Sequence, residues 1–263
     1  MSSETESRRA FSNPVRSMFR GFFLVLLTVG VYLRYLFRKS GRNEEGILFQ
    51  AQRAITDWSR HCLGCMGICL SIEGEVPEGP VLLCPNHATY LDVFAMGAAC
   101  RTFFVSKADV EGWPGIGRVC VGSRNILVPR ERRSAITEVN TLISDRLTQG
   151  FSVCVFLEGT TSANEDVLPF HASLVQSAID AEIPLVPVGI RWSCRKEDVD
   201  IGEDVAYWKD DHVLGSHLFR VLGLSGVEVT VHFGHAIESA SRDRKALAFE
   251  LHEHVVGLAG FPN

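Results

Sequence analysis

The sequence lacks the signatures of several broad protein classes. No Gly-x-Ser-x-Gly motif occurs, so a hydrolase built on a serine elbow is not expected. The eight cysteines form no paired framework of the kind that staples small secreted domains. Cys84, Cys120 and Cys154 lie in apolar, strand-like runs and read as reduced core thiols. Cys62, Cys65 and Cys69 with His61 have a metal-like spacing. They sit in an apolar helical stretch without a second Cys/His cluster, however, and no metal site is expected. Net positive charge is missing too: the formal charge is −5, which argues against general nucleic-acid binding. There are no internal repeats and no low-complexity tract. The uncharged apolar stretch Gly21 to Leu33 has 13 residues. As a helix it reaches only ~20 Å, short of the ~30 Å hydrocarbon core of a bilayer.

The charge that is present is unevenly placed. Residues 1–42 carry Arg8, Arg9, Arg16, Arg20, Arg34, Arg38, Lys39 and Arg42 against Glu4 and Glu6, a local charge of +6 that leaves −11 for the remainder. A basic, apolar end on an acidic body suggests contact with an anionic membrane surface. Residues 1–13 are polar and are expected to be disordered. The apolar stretch widens to Phe19–Phe37 if Arg20 and Arg34 are included, and this version just spans if both arginines snorkel. No small-residue cleavage site follows, so a removed signal peptide is not expected. Both flanks are basic, so the positive-inside rule selects no orientation. A helix dipping into one leaflet from the cytoplasmic face of the inner (plasma) membrane fits that symmetry; a single span is the alternative. Glu44 to Met66 reads as an amphipathic helix with Ile47, Leu48, Ala51, Ile55, Trp58, Cys62 and Met66 on one face. That face packs either on a globular core or beside the first helix on the membrane. The pattern divides the chain into 1–66, a polar tail plus a helix pair, and 67–263, a globular domain.

From residue 68 short apolar strands alternate with helices. Strands are expected at 68–73, 81–84, 102–105, 126–128, 153–157, 185–190 and 227–233, and helices at 90–100, 134–148, 172–181 and 242–257. This predicts an α/β fold with a largely parallel mixed sheet flanked by helices. The last strand alternates through Val227, Val229, Val231 and Phe233, as an edge or one-sided strand does. Residues 193–226 are poorly patterned and read as a surface excursion.

One stretch carries chemistry. Pro85-Asn86-His87-Ala88-Thr89-Tyr90-Leu91-Asp92 lies where a buried strand hands over to a helix. Thr89 and Asp92 have the spacing of a capping box, which accounts for both without any function. It does not account for His87. A helix beginning between His87 and Asp92 lets the carboxylate fold back onto one ring nitrogen. That would fix the tautomer and raise the basicity of the other nitrogen. No serine or cysteine partner is close in sequence, so the hydroxyl to be deprotonated is more naturally the substrate's own.

Asn86, His87 and Asp92 form an Asn-His-x4-Asp pattern that resembles the first motif of the glycerolipid acyltransferases of the lysophosphatidate acyltransferase type. The blocks that follow are similar in order. Phe156-Leu157-Glu158-Gly159-Thr160-Thr161-Ser162, trailed by Leu168-Pro169-Phe170, looks like the family's Phe-Pro-Glu-Gly-Thr-Arg-Ser block. Ile126-Leu127-Val128-Pro129-Arg130 resembles the second block and Val186-Pro187-Val188-Gly189 the fourth. Phe104-Val105-Ser106-Lys107 with Trp113-Pro114-Gly115-Ile116-Gly117 resembles the family's lysine segment. The resemblance covers about residues 68–235, and the preceding helix pair resembles the membrane-docking helices of bacterial members.

The resemblance implies an O-acyltransferase. The donor would be acyl-CoA or acyl carrier protein, a co-substrate rather than a bound cofactor, and the acceptor a lysolipid. His87 would be the general base and Asp92 its orienting group. Asn86, Glu158, Gly159, Thr160 and Thr161 would line the acceptor site, with Glu158 positioning the acceptor. Lys107 and Arg130 would be candidate phosphate ligands. Backbone N–H groups around Gly159 and Thr160 offer an oxyanion hole. Three departures stand out: Thr161 replaces the family's arginine, which helps hold the acceptor's phosphate; Leu157 replaces a proline; and Arg124 stands where a glycine usually opens the second block. The Gly-Thr-Thr-Ser version is similar to a bacterial branch that acylates lyso-aminolipids, so the expected acceptor is 1-acyl-sn-glycerol-3-phosphate or a lyso-aminolipid. Phe94, Phe103, Phe104, Phe156 and Phe170 line an acyl tunnel or pack in the core.

Overall fold

A computed structural model of the 263-residue chain describes residues 12–107, 122–128, 135–162, 166–206 and 214–260. Residues 1–11, Arg130 and the Trp113–Gly117 segment lie outside the described residues, as does the side chain of Lys107. Ser12 and Asn13, expected in a disordered tail, are tied down: Asn13 caps the first helix through Arg16 N–H, and Ser12 donates to the Arg220 carbonyl.

Strands β1 (Cys69–Glu73), β2 (Leu82–Pro85), β3 (Phe103–Lys107), β4 (Ile126–Val128), β5 (Val153–Cys154), β6 (Leu185–Cys194) and β7 (Val227–Phe233) form one sheet in the order β1-β7-β6-β2-β5-β3-β4. Every pairing is parallel except β6 with β7. Helices cover both faces, so the central strands are apolar on both sides. On β2, Leu83 joins the cluster that contains Ile55, Leu63, Leu91 and Met96. Its neighbours Leu82 and Cys84 join Ile143, Leu147, Val175, Leu247 and Leu251 on the opposite face. The first face carries α1 (Pro14–Lys39), α2 (Glu44–Met66), α3 (Asp92–Ala99) and α6 (Leu214–Gly223); the second carries α4 (Ala135–Thr148), α5 (Gln176–Ala181) and α7 (Arg244–Ala259). Helix α7 comes so close to β6 that a Cβ on Gly189 would lie 2.3 Å from the Leu258 carbonyl carbon, so only glycine fits there.

Two expectations need correction. Strand β7 is not an edge: β1 pairs on one side and β6 on the other. The alternation reports one-sidedness alone, since Val227, Val229, Val231 and Phe233 are buried and the residues between them are half-exposed. Residues 193–226 are not merely a surface excursion. Strand β6 continues to Cys194, a π-helical turn follows at Ile201–Ala206, and α6 packs under α1. Asp204 and Arg220 form an ion pair that joins the π-turn to α6.

The two N-terminal helices differ in their surroundings. Helix α2 buries Leu48, Ala51, Ile55, Cys62, Leu63 and Met66, and so packs on the core. Helix α1 is 26 residues long, roughly 39 Å at 1.5 Å per residue, and leaves Phe19, Phe22, Phe23, Leu26, Val29, Leu33 and Phe37 exposed. One side of α1 is fixed. The indole Nε1–H of Trp58 donates to Thr28 Oγ1 at 3.0 Å, and Arg20 Nη1 donates to the carbonyls of Leu222 and Leu224 at 2.9 and 2.7 Å.

Candidate active site

The site is assembled at the carboxyl ends of β2 and β5, where open parallel sheets bind their ligands. Strand β2 ends at Pro85, and Asn86 extends its partnership with β6. The Asn86 amide donates to Ile190 C=O at 3.0 Å, and its oxygen accepts Ile190 N–H at 2.6 Å. Asn86 is fully buried, so its amide clamps the backbone just before His87 and presents no free group.

His87 and Asp92 meet as the sequence predicts: Nδ1 lies 3.0 Å from Asp92 Oδ2. The side chain of His87 is 16 % exposed, whereas that of Asp92 is wholly buried. The helix does begin between them, at Asp92, with Leu91 in the cap position. The capping box forms by half. Asp92 Oδ2 accepts Thr89 N–H at 2.9 Å, but the Thr89 hydroxyl donates to the Val205 carbonyl of the π-turn at 3.3 Å. One carboxylate therefore caps the turn and orients the imidazole. With Nδ1 committed to Asp92, Nε2 is the nitrogen left to take a proton. The imidazole stacks on Phe156, with centroids 3.9 Å apart. The stacking holds the ring plane.

Glu158 comes to the same place from β5. It is 3 % exposed, and both carboxylate oxygens accept main-chain N–H groups: Oε1 from His87 at 2.5 Å and Oε2 from Leu168 at 2.9 Å. Burial pushes its pKa up to about 7 despite these bonds. Glu158 thus braces the His87 loop against the segment after β5. Ser162 N–H adds a second tie, donating to the His87 carbonyl at 2.8 Å. Gly159 has φ +71°, a left-handed turn that suits glycine, and its N–H is taken up by the Phe156 carbonyl at 3.2 Å. Thr160 is exposed and Thr161 half-buried. Arg124 also adopts a left-handed conformation, φ +61°, at the position where the second block usually has a glycine.

The phenylalanine stripe does not make one surface. Phe103 and Phe104 are fully buried core residues, Phe94 packs on Trp58, Phe156 lies under His87, and Phe170 belongs to the opposite face of the sheet. Two site residues escaped sequence reasoning. Trp192 donates its indole N–H to Asp92 Oδ1 at 2.7 Å. It lies two residues beyond Ile190 on the same face of β6, so a longer strand there would have revealed it. The other is Ser162, whose main-chain N–H holds the His87 carbonyl and whose buried hydroxyl has no hydrogen-bond partner among the described residues.

Comparison with known proteins finds relatives of this chain. The Acyltransferase family model matches residues 68–191. The chain is 32% identical over 205 residues to the lyso-ornithine lipid O-acyltransferase of Brucella abortus, covering 73% of this chain and 76% of that protein. It is 29% identical over 231 residues to the 1-acyl-sn-glycerol-3-phosphate acyltransferase of Neisseria meningitidis, covering 82% of this chain and 86% of the relative. The crystal structure of the 1-acyl-sn-glycerophosphate acyltransferase of Thermotoga maritima superposes with a TM-score of 0.65 at 18% identity over 92% of this chain and 95% of that one, a likeness of fold. The chain belongs to the acyltransferase family, and it is an enzyme of that class.

Proposed function

We propose that the protein transfers a fatty acyl group from acyl-CoA or acyl carrier protein to the free hydroxyl of a lysolipid. The observation that carries this reading is the contact between His87 Nδ1 and the buried Asp92 carboxylate, which prepares Nε2 to accept a proton. The acceptor hydroxyl gives its proton to Nε2 as its oxygen attacks the thioester carbonyl. The tetrahedral oxyanion that forms is met by main-chain N–H groups after β5. Gly159 N–H is already used within the turn, whereas Thr160 N–H has no internal partner among the described residues. Collapse expels the thiolate, which takes the proton back from His87 and leaves as free thiol. No residue is acylated.

For the acceptor we favour 1-acyl-sn-glycerol-3-phosphate, giving phosphatidate, with Arg130 and Lys107 as the phosphate ligands. A specific observation favours a second reading, a lyso-aminolipid of the lyso-ornithine-lipid kind. Thr161 replaces the family's arginine, and the described residues from Phe156 to His171 include no lysine or arginine. Helix α1 supports work at a membrane surface on the cytoplasmic face. One side of α1 is fixed to α2 and α6 while the other exposes a stripe of phenylalanine, leucine and valine, an arrangement suited to entering one leaflet.

The test is acylation of a panel of lysolipids by purified enzyme with radiolabelled acyl-CoA and acyl carrier protein. One acceptor class is expected to become labelled. No transfer to any acceptor from either donor would reject the reading.

A further inference from the structure

Asp92 uses its two oxygens differently. Oδ2 accepts the Thr89 main-chain N–H at 2.9 Å and faces His87 Nδ1 at 3.0 Å. Oδ1 accepts the indole N–H of Trp192 at 2.7 Å. Trp192 is 3 % exposed and lies on β6 opposite Val229 of β7. That part of β6 has already parted from β2, whose register ends at Pro85 with Val188. The indole therefore reaches Asp92 from a different element, β6, the strand to which Asn86 ties the backbone just before His87.

The torsion of a carboxylate about its last bond is soft, so something must fix which oxygen faces the imidazole. On the Oδ2 side the Thr89 N–H moves with the loop itself. On the Oδ1 side the donor is a rigid ring wedged in the core. We propose that Trp192 is a positioning residue for the acyl transfer: its indole N–H locks the Asp92 carboxylate so that Oδ2 holds His87 in the tautomer and orientation a general base needs. The proposal rests on His87 being that base.

Among the described residues, the titratable groups in electrostatic reach of Asp92 include His87 in its own loop, Glu158 beyond β5 and Cys154 on β5. Among the described residues none of the three donates to Oδ1. Loss of the indole N–H leaves the carboxylate a stronger base that holds an imidazolium more tightly. His87 then becomes protonated at higher pH, and the acid limb of the rate profile moves up. Loss of packing alone would not move it.

The experiment compares Trp192→Phe, which keeps most of the volume, with Trp192→3-benzothienylalanine, which keeps the shape and replaces the N–H by sulfur. Both are expected to lower kcat about 10- to 100-fold, the usual cost of removing such a supporting bond, with KM nearly unchanged. The acid limb of kcat against pH and the titration of 15N-labelled His87 should both move to higher pH. The NMR titration needs no substrate, so it tests the Trp192 proposal even if wild-type enzyme acylates no lysolipid. Wild-type kcat with an unmoved His87 titration in the benzothienyl enzyme would overturn the proposal. Lowered activity with an unmoved titration would also overturn it, leaving Trp192 a packing residue only.

Discussion

The strand-end site and helix α1 solve opposite problems. At the strand ends charge is buried and its partners are internal: Asp92 faces His87, Thr89 and Trp192, and Glu158 faces the main chain at His87 and Leu168. Along α1 apolar surface is exposed, and among the described residues nothing covers it: Phe19 is 64 % and Phe22 62 % exposed. The first region is complete as folded. The second leaves an apolar face to the outside, the arrangement that the proposed membrane contact would use. A buried charge without partners costs several kcal/mol and is not tolerated, whereas an exposed phenylalanine costs little until a neighbour competes for it.

Substitutions can break this contrast. The largest effect is expected at His87. His87→Ala removes the proton acceptor and should lower kcat by about 10³-fold or more in the acyl transfer assay, with the thermal midpoint little changed. Retained activity would dismiss the base assignment. On the other side of the comparison, Phe22→Ser should leave folding intact and weaken partition onto vesicles containing anionic lipid by about tenfold, from roughly 1.5 to 2 kcal/mol of lost apolar burial. Unchanged co-sedimentation would separate α1 from the membrane.

Glu158 supplies a pH test. Its folded-state pKa is raised from 4.5 to about 7 by burial, so folding takes up a proton across that window. The contribution is fully present below pH 4.5 and is lost as pH rises through 7. A shift of this size corresponds to about 3 kcal/mol. The stability of wild type relative to Glu158→Gln should therefore fall by up to that amount between pH 4.5 and pH 8, measured by urea unfolding. A difference that does not vary with pH would exclude the assignment. The smallest effect belongs to Arg124. Its left-handed backbone is strained for any residue with a Cβ, and Arg124→Gly should stabilise the fold by about 0.5–1 kcal/mol. An unchanged or lowered thermal midpoint would mean that its contacts outweigh the strain.

Much of the site was readable because its residues sit at sharp changes of pattern. The buried run ending in Pro85, the polar His87 and the acid of the first turn are local signals, and strands at 126–128 and 227–233 have the bounds expected from an apolar run and from alternation respectively. The misreadings have a common physical cause. Strand β6 is flanked by β2 and β7 only around Val188; before that it pairs with β2 and after it with β7 alone. Its pattern changes midway from wholly buried to alternating, with Ile190 and Trp192 buried and Arg191 and Ser193 exposed. A reading based on one period stops at the change and loses Trp192. Helix α6 was missed because its ten residues are short and its surroundings irregular. What makes it a helix support is α1, far away in the sequence: the bond from Arg20 to Leu222 spans 202 residues. Thr161 and Arg124 were legible as departures, but only the backbone angle at Arg124 explains what the departure there entails.

The seam between α1 and α6 is built on peptide carbonyls. Arg16 Nη1 donates to Gly223 C=O, Arg20 Nη1 to Leu222 and Leu224 C=O, Ser12 Oγ to Arg220 C=O, and Asn13 N–H to Gly223 C=O. A carbonyl is present whatever side chain its residue carries. The anchor therefore asks no polar side chain of the receiving helix, but Gly223 has to stay glycine, since a Cβ there would lie 2.6 Å from Ser17 Oγ and 2.9 Å from Asn13 N. On the α1 side the attachment is made by donors at one end of the helix, Ser12, Asn13, Arg16 and Arg20, so that end is pinned while the rest of its outer face is left bare.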